Sequence, residues 1–380
     1  MAKRKILFRI ANLKGGGAEK VLTTILKKLD RDKFEIDLLL HQLAGIYLKD
    51  LPHDVGLYYL GKGEAHLGDS WLPKIIERKI EKKKYKWLKA NTRYIYSHKL
   101  KKEYDVEVAF LHDLMPTIKT SPTKKKVAWV HNDFSNENYL TEKIKKDIIE
   151  ASDSFDKTVC VSLQSKESFE NYGADSSKTL LIYNPIDDKE ILANSELQTI
   201  ELDSNMVNLL AMGRLHPQKR YDRMIEAVEI LVKKGIVNFH LNILGEGNEK
   251  EKLSELIRSK NLESLITLRG FIANPYPWIK ASDVFVMSSD FEGFPVVVCE
   301  NLILNKPIVS TRVSGTIEVI DKHGFGFITE KTPNDLAEKL GEMILNTALR
   351  EKFKLKIQST ELPFEENQSM KEINKLLFEI

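Results

Sequence analysis

Three features of the 380-residue sequence predict an α/β fold in two domains, each a parallel sheet covered by helices. The length exceeds what one hydrophobic core serves, so two domains are expected. Short apolar runs alternate with stretches of helical periodicity from end to end, the rhythm of strand–helix–strand units. That rhythm is broken once, by Tyr183-Asn184-Pro185-Ile186-Asp187 and a polar stretch running to Asn205, and then restarts. The predicted domains are residues 1–190 and 200–360, followed by a final helix, 361–380.

Taken in order, residues 5–11 read as a first strand, followed by the turn Asn12-Leu13-Lys14-Gly15-Gly16-Gly17. A helix over 18–29 follows, with Val21, Leu22, Ile25, Leu26 and Leu29 at helical spacing. Further strands are predicted at 34–40, 106–110, 127–130, 158–161 and 180–183. In the second half, strands fall at 207–212, 239–244, 266–268, 284–287 and 308–311. The accompanying helices cover 221–233, 249–260, 295–304 and 333–345, with a last one over 364–378. Cys160 and Cys299 lie in apolar runs, which fits two buried thiols in a reducing compartment rather than a disulfide or a thiolate metal site. The basic N-terminus leads into an apolar run too short for a signal peptide, and no stretch approaches the length of a membrane span. A cytoplasmic protein is expected.

The run Ser288-Ser289-Asp290-Phe291-Glu292-Gly293-Phe294-Pro295 carries the strongest chemical signal. It joins the strand 284–287 to a helix predicted to begin at Pro295, a residue suited to the first helical position. Ligands of open α/β sheets bind beyond the carboxyl ends of the strands, where this turn lies. The amides of Phe294, Val296 and Val297, with the helix dipole, would suit a diphosphate. Glu292 in the turn and Glu300 in the helix stand about 10 Å apart by helical rise, enough to hold a sugar at one end and a ribose at the other. By themselves the two glutamates read equally well as a dipole-favoured acid and a solvated helix residue. Gly213-Arg214-Leu215 and then Lys219 follow the strand 207–212, and bring a guanidinium fork and a mobile ammonium to the same edge.

These segments resemble the signature of the retaining glycosyltransferases of family four: two glutamates with seven residues between them, opening Glu-Gly-Phe-Pro, and a preceding Gly-Arg with a lysine five residues on. The resemblance implies the glycosyltransferase B fold, two Rossmann-like domains facing across a cleft, with the final helix, 361–380, crossing back to the first domain. It implies that Arg214 and Lys219 clamp the donor's diphosphate beside Gly213, Gly293, Phe294, Pro295 and Val296. Glu300 would then take the ribose hydroxyls and Glu292 the sugar hydroxyls. Cations rather than a metal would stabilise the leaving nucleotide, so neither a metal nor a cofactor beyond the nucleotide-sugar donor, UDP-linked, is expected. The Asn12–Gly17 turn resembles the family's N-terminal glycine loop, whose backbone at Gly16 and Gly17 approaches the donor. His131, closing the strand 127–130, matches a histidine that the family often places near the reacting carbon; His112 with Asp113 is a weaker candidate. Leu244-Gly245-Glu246-Gly247, and Lys306 to Thr311 with Gly315 and Glu318, extend the resemblance over nearly the whole chain. Departures are Asn305 and Arg220 where glycine is usual, and Ser314 in place of the first of a glycine pair.

Two glycine patterns, Gly15-x-Gly17-x-x-Lys20 and Gly245-x-Gly247-x-x-Lys250, lack the third glycine of a nicotinamide-dinucleotide fingerprint, and no phosphate loop ending in Gly-Lys-Ser or Gly-Lys-Thr occurs. The formal net charge of +3 conceals a block from Lys74 to Lys102 with twelve Lys or Arg against Glu77 and Glu81. Its Ile75, Ile76, Ile80, Tyr85, Trp87, Leu88, Tyr94 and Ile95 have largely helical spacing, and most are expected in the core. The cations read as a solvated face or as an anionic-lipid surface, with membrane association favoured because relatives in the family use lipid-linked acceptors. Nucleic acid is not expected, since no recognition motif accompanies the charge. The expected activity is transfer of a hexosyl unit, with retention, to a lipid-linked or other glycan acceptor in bacterial surface polysaccharide or glycoconjugate synthesis, at the inner face of the membrane. The alternatives are a catalytically silent glycan-binding module, or an epimerase or phosphorylase of the same fold.

Overall fold

The computed structural model of the chain describes residues 2–63, 74–135, 140–362, 364 and 366–380. The chain divides into two compact units, Met1–Pro185 with Glu366–Ile380, and Ile186–Glu365.

The first unit holds a seven-stranded sheet in the order β3-β2-β1-β4-β5-β6-β7. Its strands are β1 Arg4–Ile10, β2 Phe34–Leu43, β3 Gly56–Lys62, β4 Val106–Ala109, β5 Lys125–Val130, β6 Lys157–Cys160 and β7 Thr179–Leu181. Every pairing is parallel. Central strands buried on both faces read as unbroken apolar runs; in β1, Ile6, Leu7, Phe8 and Ile10 are inaccessible to solvent. Arg9 interrupts that run and is equally buried, forming an ion pair at 2.9 Å with Glu107 of β4. The C-terminal helix Glu366–Glu379 packs on this unit. Phe378 meets Phe34 edge-on, the Arg4 guanidinium donates to the Phe378 and Ile380 carbonyls, and Lys28 pairs with Glu366.

The second unit holds a six-stranded parallel sheet in the order β10-β9-β8-β11-β12-β13. Its strands are β8 Val207–Met212, β9 Phe239–Leu244, β10 Ile266–Gly270, β11 Val284–Met287, β12 Ile308–Thr311 and β13 Gly326–Thr329. One apolar core joins β8, β9 and β11 to the helices Tyr221–Lys233 and Pro333–Leu345. Each sheet reverses its strand order once, between β1 and β4 and between β8 and β11. Such reversals open a crevice at the carboxyl ends of the strands.

Two strands escaped the sequence reading. β3 and β13 are half-exposed edge strands; the glycines and tyrosines of β3 and the four residues Gly326–Thr329 of β13 lack the apolar run of a central strand. The helix after β11 runs Val296–Ile303, so Pro295 caps it rather than opening it, with φ −78° and ψ 86°.

The basic block corrects a larger expectation. Of the eight apolar residues named above, Leu88 and Ile95 are buried, Tyr85 is half-buried, and Ile75, Ile76, Ile80, Trp87 and Tyr94 are exposed. In the helix Lys74–Ala90 it is Glu77 and Glu81 that turn inward, toward Lys62 of β3: the Lys62 ammonium pairs with Glu77 at 3.2 Å and its backbone amide donates to Glu81 at 3.0 Å. With the first turns of the inward face satisfied by charge, and Tyr85 and Leu88 filling the rest, the isoleucines and lysines share the outward one.

Candidate active site

The site assembles where β8 and β11 lie side by side in the second unit. β8 delivers Gly213, Arg214 and the short turn Pro217–Lys219; β11 delivers Ser288 to Pro295. Hydrogen bonds lace the two loops together. The Ser288 hydroxyl donates to the carbonyls of Lys219 and Arg220 at 2.8 and 2.9 Å. The Asp290 amide donates to the Gln218 carbonyl at 2.9 Å, and the Gln218 side chain donates to the Phe291 carbonyl at 2.8 Å.

Across this seam Lys219 Nζ meets Glu292 Oε1 at 2.6 Å, with the side chains 19% and 14% exposed. The Ser289 hydroxyl donates to the same carboxylate oxygen at 2.7 Å. Gly213 lets the lysine stem lie flat: its φ of +147° disfavours side chains, and an added Cβ would come within 3.2 Å of the Tyr221 hydroxyl and 3.4 Å of Lys219 Cε. Burial first, and then the Glu292 charge, push the Tyr221 phenol above its usual range, so it stays protonated at neutral pH. Arg214 is exposed and, among the described residues, has no ion-pair partner, so its guanidinium is available to an anionic ligand.

The end of β12 and the loop after it brace the Ser289–Pro295 segment. The Thr311 hydroxyl donates to the Ser289 carbonyl at 2.6 Å. Gly315, at φ +77°, lies so close that an added Cβ would sit 2.7 Å from Pro295 Cδ. Phe294, Val296 and Glu300 are buried, and the Tyr276 hydroxyl donates to Glu300 Oε1 at 3.4 Å. The structure thus brings Lys219 and Glu292 into contact, holds Gly293, Phe294, Pro295 and Val296 in one braced turn, and seats Glu300 within the helix behind it. Tyr221, Ser289, Asp290, Arg223 and Tyr276 were not singled out from sequence. Ser289 and Asp290 lie inside the motif itself, and Tyr221 and Arg223 open the next helix.

In the first unit, Gly16 caps the helix Gly17–Lys28, and the Glu19 carboxylate folds over it: a Cβ on Gly16 would be 2.2 Å from Glu19 Oε2. An acid in the first turn is favoured by the dipole and occupies the place an anion would take. His131 follows β5 and is buried, its ring 4.8 Å from that of Phe110. Asp133, just beyond, accepts from Gln164 Nε2 at 2.9 Å. His112 follows β4, also buried, edge-on to Phe134. Glycine loop and histidines thus stand at the carboxyl ends of β1, β5 and β4.

Residues 15–190 match the sequence family described as Glycosyltransferase Family 4, and residues 196–359 the one described as Glycosyl transferases group 1. The chain is 27% identical to the N-acetylgalactosamine-N,N'-diacetylbacillosaminyl-diphospho-undecaprenol 4-alpha-N-acetylgalactosaminyltransferase of Campylobacter jejuni, over 98% of this chain and 99% of that one. It is 28% identical to the capsular polysaccharide biosynthesis glycosyltransferase CapM of Staphylococcus aureus, over 56% of this chain and 57% of the other. Among solved structures it resembles Anabaena HepE in complex with UDP and glucose, with a TM-score of 0.77 at 19% identity, covering 99% of this chain and 100% of that one. A mutant of S. aureus TarM, in complex with fondaparinux, alpha-GlcNAc-glycerol and UDP, gives a TM-score of 0.78 at 15% identity, over 99% of this chain and 100% of the other. The structural likenesses establish the fold, α/β with two Rossmann-like domains of the glycosyltransferase B type.

Proposed function

The chain belongs to glycosyltransferase family four, and on that premise we propose that it moves a hexosyl unit from a UDP-linked donor, with retention, to a lipid-linked glycan acceptor in bacterial polysaccharide or glycoconjugate synthesis. The observation that carries the proposal is the Lys219–Glu292 contact at the seam between the β8 and β11 loops. It sets a cation for phosphate directly against a carboxylate for sugar hydroxyls, the two ends that a nucleotide sugar presents at its scissile bond. On this reading Lys219 and Arg214 take the diphosphate, and the amides of Phe294, Val296 and Val297 at the helix N-terminus add to them. As the glycosidic bond breaks, negative charge grows on the leaving diphosphate, and preorganised cations stabilise that charge without a metal. Glu292 orients the sugar and Glu300 the ribose. His131 and the Gly16–Gly17 turn are proposed as further substrate contacts. UDP is supported by HepE and TarM, both described in complex with it, and a lipid-linked acceptor by the diphospho-undecaprenol in the name of the Campylobacter relative.

We further propose that the protein works at the cytoplasmic face of an anionic membrane through the helix Lys74–Ala90 and the turns after it. No helix among the described residues is long and apolar enough to cross a membrane. Peripheral binding instead suits exposed Ile76, Ile80 and Trp87, which lie along one stripe at helical spacing among exposed Lys79, Lys82, Lys83 and Lys86. Trp87 packs edge-on against Tyr94, and Tyr94 stacks on His98 at 4.2 Å, a cluster placed like an interfacial aromatic anchor.

A panel of nucleotide sugars tests the enzymatic reading. A UDP-hexose should raise the melting temperature of the wild type and be slowly hydrolysed, and Lys219→Ala should lose both effects. Stabilisation by no nucleotide sugar, or equal stabilisation of Lys219→Ala, would remove the assignment.

A further inference from the structure

Arg220 stands where a small residue is usual, immediately after Lys219, and its backbone shows why: φ is +50° and ψ 45°, the left-handed region that glycine occupies without strain. Holding a long side chain there costs backbone energy, and the surroundings over-determine the position. Arg220 Nε donates to both Asp222 oxygens at 3.0 and 3.2 Å, and Nη2 to Asp222 Oδ2 at 3.0 Å. Nη1 reaches across to Asp290, at 3.4 and 3.2 Å from its two oxygens. Arg223, buried, closes the loop by donating to Asp290 Oδ1 at 2.6 Å and to the Ser288 carbonyl at 2.7 Å. Lys331 donates to the Asp290 carbonyl at 2.6 Å. Two guanidiniums and two carboxylates thus form one knot, with one carboxylate on the first turn of the helix Tyr221–Lys233 and the other on the β11 loop two residues before Glu292.

We propose that Arg220 is a positioning residue for donor binding, which in this chain ties the loop ending at Lys219 to the Asp290–Glu292 turn. The inference rests on the reading that Lys219 holds the donor's diphosphate. Arg220 does not serve as a third phosphate cation, because its nitrogens are committed to Asp222 and Asp290. Its action passes through the backbone it shares with Lys219, whose carbonyl and that of Arg220 are both gripped by Ser288. Removing the fork loosens the lysine's loop, which the Ser288, Asp290 and Gln218 hydrogen bonds still hold to the turn, and leaves every proposed phosphate-contacting group in place.

The test is a double-mutant cycle read by calorimetry with UDP as the probe, on full-length protein. Glycine suits the left-handed backbone, so Arg220→Gly deletes the Arg220 fork without straining the turn and keeps the Arg223–Asp290 pair; its melting temperature checks that the fold persists. Arg220→Gly is expected to weaken UDP binding about five- to tenfold, the scale of coupling within one polar network. In the Lys219→Ala background the same change should move affinity less than twofold, because the group being positioned is gone. Arg220→Lys should not restore binding, since a point charge cannot bridge two carboxylates. Additive losses, or full rescue by lysine, would make Arg220 a source of positive charge acting on the phosphate directly and overturn the proposal. An unchanged UDP affinity in Arg220→Gly would also overturn it. Failure of the underlying reading shows separately, as an unchanged affinity in Lys219→Ala alone.

Discussion

Replacing Glu292 by glutamine should separate binding from transfer. In the free protein the Lys219 ammonium lies 2.6 Å from the Glu292 carboxylate, and both side chains are less than one-fifth exposed. At an effective dielectric constant near 20, that separation corresponds to a gross attraction of about 6 kcal/mol. Desolvation of both groups cancels most of it and leaves a net of about 1 kcal/mol, the scale of a partly exposed pair. A diphosphate entering the site must draw Lys219 partly away from that partner. Glu292→Gln removes the competing charge and keeps the shape, so UDP affinity should stay level or rise, by up to about tenfold for ~1.4 kcal/mol. Transfer should fall by about a hundredfold or more, because a neutral amide orients the sugar hydroxyls poorly. Calorimetry with UDP beside a turnover assay with UDP-hexose reads both effects. A tenfold loss of UDP affinity in Glu292→Gln would refute the reasoning, since the carboxylate would then be supporting the nucleotide and not competing for its lysine.

Three other perturbations have defined outcomes. Activity should survive excess EDTA, because the proposed counter-charges are Arg214 and Lys219; a strict requirement for Mg²⁺ or Mn²⁺ restored after chelation would contradict that. The protein should pellet with anionic vesicles and release as salt rises, each cation near the surface contributing about 1 kcal/mol over a decay length of roughly 8 Å. Reversing the charge of Lys82, Lys83 and Lys86 should weaken that binding, and Trp87→Ala should weaken it further at high salt; equal binding to neutral vesicles, or none to either, would leave this helix face merely solvated. Burial lowers Lys306 to about 8, below its unfolded value near 10.5, so the folded state sheds this proton first and stability contributed here rises as pH climbs through that window. Urea unfolding of the wild type, relative to Lys306→Met, should therefore gain at most about 1.4 kcal/mol per pH unit between pH 8 and 10, and a pH-independent difference would refute it.

Where a local pattern implied its own consequence, the sequence was easy to read. The central strands β8, β9, β11 and β12 announced themselves as apolar runs because both of their faces are covered. The Glu292 motif placed itself at a strand's carboxyl end because a helix start follows it. The pairing of Lys219 with Glu292 was not legible, since it depends on β8 and β11 being sheet neighbours although 73 residues separate the two side chains. The Arg220 knot was hidden for a related reason: sequence shows an arginine in place of a glycine, while the left-handed backbone and the reach to Asp290 are tertiary facts. The basic helix misled because helical spacing of isoleucines ordinarily marks an inward face. Here Lys62 on an edge strand draws Glu77 and Glu81 inward and turns the isoleucines out.

The most direct test of the central claim is to follow a UDP-α-hexose by proton NMR in the presence of the protein and without acceptor. The account predicts release of UDP together with free hexose that appears first as the α-anomer, and loss of both signals in Lys219→Ala. Absence of UDP release from every UDP-hexose tried would contradict the proposed donor, and initial formation of the β-anomer would contradict retention.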